Sequence, residues 1–157
     1  MIRVGIGYDS HRFVKGGRLI IGGVEIPFEY GLAGHSDADV LTHSITDAII
    51  GAAGLGDIGK LFPDTDPRWK DADSVAMLSV VIDKIKELGF EVQWTDCVVI
   101  TEAPKISPYV ERMKEAISKS GIQAGCINIK AKTNEKMGFI GRGEGVAAMV
   151  TCVLVQL

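Results

Sequence analysis

What most limits the folds open to this chain is the regular alternation of two apolar periodicities along its length. Short runs rich in β-branched residues occur at Ile2 to Tyr8, Arg18 to Ile26, Glu91 to Ile100, Cys126 to Ala131 and Val146 to Val155, and runs of that kind read as strands. Between them, apolar residues recur at helical spacing. The first helix is predicted to open at Ser36, where Ser36-x-x-Asp39 has the spacing of a capping box. It should close at Gly54 and Gly56, with Leu41, Ile45, Ala48 and Ala52 as its core stripe. A second helix is predicted from about Ser74 to Leu88, ending at Gly89, with Val75, Leu78, Ile82 and Ile85 spaced for one buried face. A third runs from about Ser107 to Ser120, with Pro108 near its first turn and Gly121 beyond its end. No Ser- or Pro-rich linker, internal repeat or low-complexity tract interrupts the series. The expected architecture is therefore α/β (α+β): a single domain over residues 1–157, with a mixed β-sheet and helices packed on it.

Composition narrows the class of function. At 157 residues, with 46% hydrophobic and 24% charged, the chain can build a core without disulfides or structural metal. A net charge of -3 gives no global positive field for a nucleic-acid backbone or an anionic membrane, so neither is expected as a partner and any phosphate must be held locally. The cysteines Cys97, Cys126 and Cys152 are odd in number, widely spaced and set in apolar runs. They read as buried thiols of a reducing compartment rather than a disulfide framework. No stretch approaches the ~18 apolar residues of a membrane span, and the first residues read as a strand rather than a signal peptide, so a cytoplasmic location is expected.

Three segments carry chemistry. Asp9-Ser10-His11 follows the first strand, and if the extended backbone continues, period-two alternation places Asp9 and His11 on the same side. A carboxylate and an imidazole are both good zinc ligands, and a third protein ligand would leave one tetrahedral position open for water or substrate. The only other histidines are His35, before the first helix, and His43, within it. His43 lies four residues from both Asp39 and Asp47, and either carboxylate can orient its ring. The same pattern also fits a solvated, salt-bridged helix face, because spacing alone does not bring His43 to Asp9. Gly54 to Lys60 is glycine-dense, with Asp57 available to hydroxyl groups, and leads into the acidic turn Phe62 to Pro67. Its spacing is not that of a Walker loop, and a helix cap followed by a surface loop explains it equally. Thr133-Asn134-Glu135-Lys136 suits a magnesium-phosphate pair or a plain polar turn. The following run, Gly138 to Gly145, displays Phe139, Arg142 and Glu144 on a glycine scaffold. Four glycines serve a tight crossing of backbones as well.

Taken in order, Gly7-Tyr8-Asp9-Ser10-His11, His35-Ser36-Asp37-Ala38-Asp39-Val40 with His43 and Asp47-Ala48, Leu55 to Pro67, Ala103-Pro104-Lys105, Thr133-Asn134-Glu135-Lys136, and Gly138-Phe139 with Gly141 to Gly145 resemble the 2-C-methyl-D-erythritol 2,4-cyclodiphosphate synthases of the non-mevalonate isoprenoid pathway. The resemblance covers nearly the whole chain. It implies one zinc ion per chain on Asp9, His11 and His43, and a second ion, magnesium or manganese, held by Glu135 on the substrate diphosphate. His35 and Thr133 would steady the transition state. Asp57 and its neighbours Ile58 and Gly59 would hold the erythritol part, and Thr101, Glu102, Ala103, Pro104, Lys105, Ile106 and Ser107 would receive the cytidine. Further substrate contacts are implied for Ser10 and Ser36, for Phe62, Pro63, Asp64, Thr65 and Asp66, for Lys132 and Asn134, and for Phe139 and Arg142. The turn Lys132 to Glu135 departs from the Thr-rich turn of the family while keeping Thr133 and Glu135.

The implied reaction closes a ring within 4-diphosphocytidyl-2-C-methyl-D-erythritol 2-phosphate. The 2-phosphate attacks the β-phosphorus and expels CMP, with no protein nucleophile, in keeping with the absence of a Ser-His-Asp or Cys-His signature. The family forms homotrimers with active sites at subunit interfaces, and its central cavity can accept an isoprenoid diphosphate. Two rivals remain at this stage: a zinc phosphodiesterase, and a trimeric binding module without catalysis.

Overall fold

Alternation along the first strand decides which side of the sheet becomes the core. A computed structural model describes every residue from Met1 to Leu157. The strands are β1 (Ile2–Lys15), β2 (Leu19–Ile21), β3 (Val24–Ile26), β4 (Tyr30–Leu32), β5 (Phe90–Ile100), β6 (Ile127–Lys132) and β7 (Gly145–Gln156). The helices are α1 (Val40–Ala53), α2 (Ile58–Leu61), α3 (Ser74–Glu87), α4 (Val110–Ser118) and α5 (Gly138–Gly141), with 3-10 turns at Pro67–Trp69, Ser107–Tyr109 and Ala124–Cys126. Five strands form a mixed sheet in the order β4-β1-β7-β5-β6. β5 and β6 pair in parallel and the other neighbours are antiparallel. The expected α+β architecture is present.

Helix α1 lies across β1 and β7 and packs against α3, which explains why it is buried on nearly every side rather than along one stripe. Leu41, Ile45, Ala48 and Ala52 are all in the core, with Ile49 and Ile50 beside them. On α3, Leu78, Ile82 and Ile85 are buried as expected, whereas Val75 is only half-buried.

Several boundaries differ from the sequence reading. Helix α1 starts at Val40, not Ser36, because Ala38 takes a left-handed conformation (φ 58°) that breaks the helical path. Asp39 caps it instead. Its carboxylate accepts from Thr42 N and Gly22 N at 3.0 and 2.8 Å, and from Gly23 N and Thr42 Oγ1 at 2.7 and 2.8 Å. Burial pushes this carboxyl's pKa up even against those donors, and the four bonds pin the β2–β3 hairpin to the helix. The run Arg18 to Ile26, expected as one strand, is that hairpin: Gly22 and Gly23 have φ of 61° and 72°, the two left-handed positions a tight turn needs. The third helix begins as a 3-10 turn and becomes α-helical only at Val110. Cys97 and Cys152 are buried, and burial pushes their thiols up to about 12 and about 11. Cys126 departs from expectation, since it lies half-buried in a 3-10 turn before β6.

Candidate functional site

The site begins with two glycines that have no side chain to offer. Gly5, Gly7, Asp9 and His11 occupy alternate positions on one face of β1. A Cβ on Gly5 would sit 1.9 Å from the Ala48 carbonyl oxygen, and one on Gly7 would sit 1.9 Å from that of Ser44. Only bare backbone admits α1 this closely, and the Ser44 hydroxyl, 3.1 Å from the Ala148 carbonyl of β7, ties the helix down. His43, one residue before Ser44, is thereby set beside the strand just where Asp9 and His11 emerge.

The three side chains converge. His11 Nε2 lies 2.8 Å and His43 Nδ1 3.3 Å from Asp9 Oδ2, and one ligand atom from each residue falls within 4.8 Å of the others. His11 Nδ1 lies 2.8 Å from the Ala33 carbonyl, which can only accept, so that nitrogen carries the proton and Nε2 presents a lone pair. A neutral His11 would then hold an acceptor against the acceptor Asp9 Oδ2. Such a pair requires a shared proton or a cation between the atoms, which is the chemistry of a metal ligand set. Burial pulls the His11 pKa down, but the Asp9 hydrogen bond and charge outweigh it and leave the imidazole above its ordinary value. Burial correspondingly raises Asp9, and the two imidazoles more than reverse it, holding the carboxyl below its ordinary range.

Neither carboxylate expected to orient His43 does so. Asp39 is turned to the hairpin, and Asp47 accepts weakly from Ile58 N at 3.4 Å. His43 Nε2 instead faces two hydroxyls, Ser36 Oγ at 2.9 Å and Ser74 Oγ at 2.7 Å.

The cluster floors a cleft of about 350 Å³. Of the residues singled out from sequence, Asp9, His11, His35, Ser36, His43, Ile58, Gly59, Phe62 and Asp64 line it. His35 is held by backbone pairing of its loop with the next: Asp71 N donates to the His35 carbonyl at 2.9 Å, and Asp37 N to that of Ala72 at 3.2 Å. Its Nε2 is buried and has no partner within the chain, so it is available to a ligand in the cleft. Asp57 does not line the cleft. It is exposed and caps α2, with one oxygen accepting from Lys60 N at 3.0 Å. Asp66 is held by Arg68.

No residue of the 101–107 or 132–135 segments lines this cleft. They sit at the same end of the sheet, two strands away: Ser10 of β1 and Ile100 of β5 flank the same β7 residue, Ala147. Thr133 and Glu135 are exposed on the turn. Glu102 clamps that turn, accepting from Asn134 N at 2.7 Å and Lys136 N at 2.9 Å. Thr101 and Ile106 are buried, and the Thr101 hydroxyl donates to the Ala103 carbonyl at 2.6 Å. Phe139 joins Ser10, His11, Arg12 and Glu144 around a smaller hollow, and Arg142 pairs with Glu144 at 2.9 Å.

Sequence reasoning missed Tyr8, Gly34, Trp69 and Met77 as lining residues, and it missed Asp47's place in the cleft, where burial raises its carboxyl pKa. It also missed Asp37 and Ser74 behind His43. Trp69 Nε1, like His35 Nε2, is buried without a partner. Gly34 and Trp69 reach the cleft from connecting segments, whereas Tyr8, Asp47 and Met77 reach it from β1, α1 and α3, and spacing within one element does not record how those elements pack together.

Comparison with known proteins places this geometry. The model of the YgbB family matches residues 2–155. A 2-C-methyl-D-erythritol 2,4-cyclodiphosphate synthase of Methylobacillus flagellatus is 55% identical over 98% of this chain and 97% of its own. Among solved structures, the bifunctional IspDF of Campylobacter jejuni superposes with a TM-score of 0.95 at 44% identity over 100% of this chain, which spans only 43% of that longer protein. The CDP complex of Plasmodium falciparum IspF superposes with a TM-score of 0.86 at 33% identity, covering 99% of this chain and 96% of that one.

Proposed function

Because the chain belongs to the YgbB family, we infer that it is a 2-C-methyl-D-erythritol 2,4-cyclodiphosphate synthase acting in isoprenoid precursor biosynthesis. It converts 4-diphosphocytidyl-2-C-methyl-D-erythritol 2-phosphate to the cyclic diphosphate with release of CMP, as a cyclodiphosphate-forming phosphorus-oxygen lyase. The observation that carries this reading is the convergence of Asp9, His11 and His43 at the floor of the cleft.

The bond changes are internal to the substrate. An oxygen of the 2-phosphate forms a bond to the β-phosphorus, and the bond from that phosphorus to the bridging oxygen breaks, so that CMP leaves with the electron pair. Two anionic groups must approach each other, which calls for positive charge and a fixed line of attack rather than covalent catalysis. Asp9, His11 and His43 would hold zinc, and Glu135 would hold magnesium or manganese on the diphosphate, the ions supplying Lewis acidity toward the phosphate oxygens. His35, with its free buried Nε2, would hydrogen-bond a phosphate oxygen as charge shifts, and Thr133 would do the same from the facing turn. Ser10, Ser36, Ile58, Gly59, Phe62, Pro63 and Asp64 to Asp66 would surround the erythritol phosphate, with Asp57 reaching its hydroxyls. The segment Thr101 to Ser107 with Lys132 and Asn134 would receive the cytidine diphosphate, in line with the CDP-bound relative.

Assembly as a homotrimer completes this reading. Ile2, Val4, Ile6 and Tyr8 on the outer face of β1, with Met149 paired beside Tyr8 and Trp94 on β5, expose large apolar side chains along one sheet face, a feature that marks an interaction surface. Covering it with neighbouring subunits would bring the metal cleft of one chain against the cytidine segment of the next, which one chain by itself keeps apart. Phe139 and Arg142 would then repeat around the axis, where the central cavity would accept an isoprenoid diphosphate. The domain occupies the whole of residues 1–157.

Product analysis tests the reaction. Incubation of the purified protein with the substrate, zinc and magnesium should yield the cyclic diphosphate and CMP, and His43→Ala should abolish both zinc retention and turnover. A ring-free hydrolysis product would establish a phosphodiesterase instead, and tight CDP binding without turnover would establish a binding protein.

A further inference from the structure

His43 is gripped from behind by a chain of hydroxyl and carboxylate groups that the reaction itself does not call for. Ser74 is fully buried at the first position of α3, and its hydroxyl makes a short hydrogen bond to Asp37 Oδ1. An ionised carboxylate only accepts, so the hydroxyl proton points at Asp37 and a lone pair of Ser74 Oγ is left for His43 Nε2, 2.7 Å away. That fixes the direction of every bond in the chain. Nε2 must carry the ring proton, and Nδ1, which faces Asp9, must present the lone pair. Ser36 Oγ, 2.9 Å from the same nitrogen, shares its proton.

Asp37 is itself held rigidly. Its Oδ2 accepts from Ser74 N at 3.0 Å, and its Oδ1 accepts from Asp39 N at 3.1 Å. The backbone on either side is locked, on one side by Asp37 N donating to the Ala72 carbonyl and on the other by Asp39, whose carboxylate is clamped to the hairpin. The relay therefore runs from the N-terminus of α3 to a histidine on α1 and joins two helices at the floor of the cleft.

We propose that Ser74 and Asp37 are positioning residues for the metal site, their hydroxyl-carboxylate relay locking His43 in the Nε2–H tautomer and aiming Nδ1 at the cation. The proposal rests on the reading of Asp9, His11 and His43 as metal ligands. A metal-bound imidazole gains orientation and basicity when its other nitrogen donates to a carboxylate, directly or through a partner, and losing such a partner commonly weakens metal binding by about 10- to 100-fold. Neither Ser74 nor Asp37 lines the cleft; they act through His43.

Two measurements on the 157-residue chain test it. Nitrogen-15 NMR of the imidazole groups in the metal-free protein, at a pH where His43 is neutral, should show His43 as the Nε2–H tautomer. A predominant Nδ1–H form overturns the proposal without recourse to any variant. Competition of zinc(II) alone against a chromophoric chelator should then show Ser74→Ala and Asp37→Asn weakened by about 10- to 100-fold relative to the parent, with His43 tautomers mixed and metal-free thermal unfolding still cooperative. Wild-type zinc affinity in both folded variants refutes the positioning role while leaving the metal site intact. Failure of the parent protein itself to bind zinc overturns the metal reading and this proposal with it, so the two failures are told apart by which protein shows them.

Discussion

Replacing Gly7 by Ala adds one methyl group, and the structure says where that methyl must go. The new Cβ would lie 1.9 Å from the Ser44 carbonyl oxygen, 2.8 Å from Ala48 N and 3.0 Å from the Ser44 carbonyl carbon. All three are backbone atoms of α1, so no side chain can rotate aside. Restoring van der Waals separation requires the helix to move off the strand by more than about 1 Å. Overpacking of this kind costs about 1–3 kcal/mol, and in a chain of this length each kcal/mol lowers Tm by roughly 2–4 °C. His43 travels with the helix, while Asp9 and His11 stay on β1. Since metal-ligand distances tolerate only about 0.2 Å, zinc affinity should fall by at least about 10-fold. Gly51→Ala is the control: it lies in the same helix with its nearest neighbour 3.9 Å away, and it should stabilise by about 0.5–1 kcal/mol through helix propensity. Thermal unfolding of both metal-free variants at one protein concentration, with zinc competition alongside, gives the answer. A Gly7→Ala protein with unchanged Tm and zinc affinity would refute the claim that this close approach builds the site.

Glu135→Gln should retain zinc but lose much of its turnover, because a neutral amide is a poor ligand for a hard cation; a magnesium titration identical to the parent's would remove Glu135 from that role. The Asp9–His11 interaction should give the metal-free protein a stability window. The lowered Asp9 pKa contributes stability that is present above the carboxyl's ordinary 3.8 and lost as pH falls through its depressed value. The raised His11 pKa reports the same interaction from the other side, present below the imidazole's ordinary 6.5 and lost as pH climbs through its raised value. Urea unfolding against pH should show this contribution in full between those two ordinary values, and His11→Gln should flatten it; an unaltered profile in that variant would place its origin elsewhere. If the proposed trimer forms, Arg142→Ala should keep it intact while binding isoprenoid diphosphate more weakly. Dissociation to monomers would instead make the Arg142–Glu144 pair a purely structural contact, and a fully active monomeric parent would remove the trimer altogether.

Local chemistry settled a good deal of this protein in advance. Strands and helices were legible because burial on one side imposes a period of two or 3.6 on apolar residues, and the pairing of Asp9 with His11 on one face of β1 follows from that same alternation. The segments Leu55 to Pro67 and Thr133 to Lys136 stood out because their polar and glycine residues sit close together in sequence, but only the first lends residues, Ile58, Gly59, Phe62 and Asp64, to the cleft. The tertiary structure alone decided what depends on distance between elements. Gly5 and Gly7 read as ordinary strand residues until α1 is seen lying against their bare backbone, and only that approach carries His43 to Asp9. The cap of α1 moved from Ser36 to Asp39 past the left-handed Ala38, and the hairpin glycines, 16 and 17 residues away, donate into the Asp39 carboxylate, a partner no capping pattern contains. Ser74, 31 positions from His43 in sequence, meets its ring, and Asp37, 6 positions from His43, meets Ser74, only because α3 folds back onto α1. Sequence periodicity records which face of an element is buried, whereas the catalytic geometry depends on how closely two buried faces pack, and that is set by the shapes of both at once.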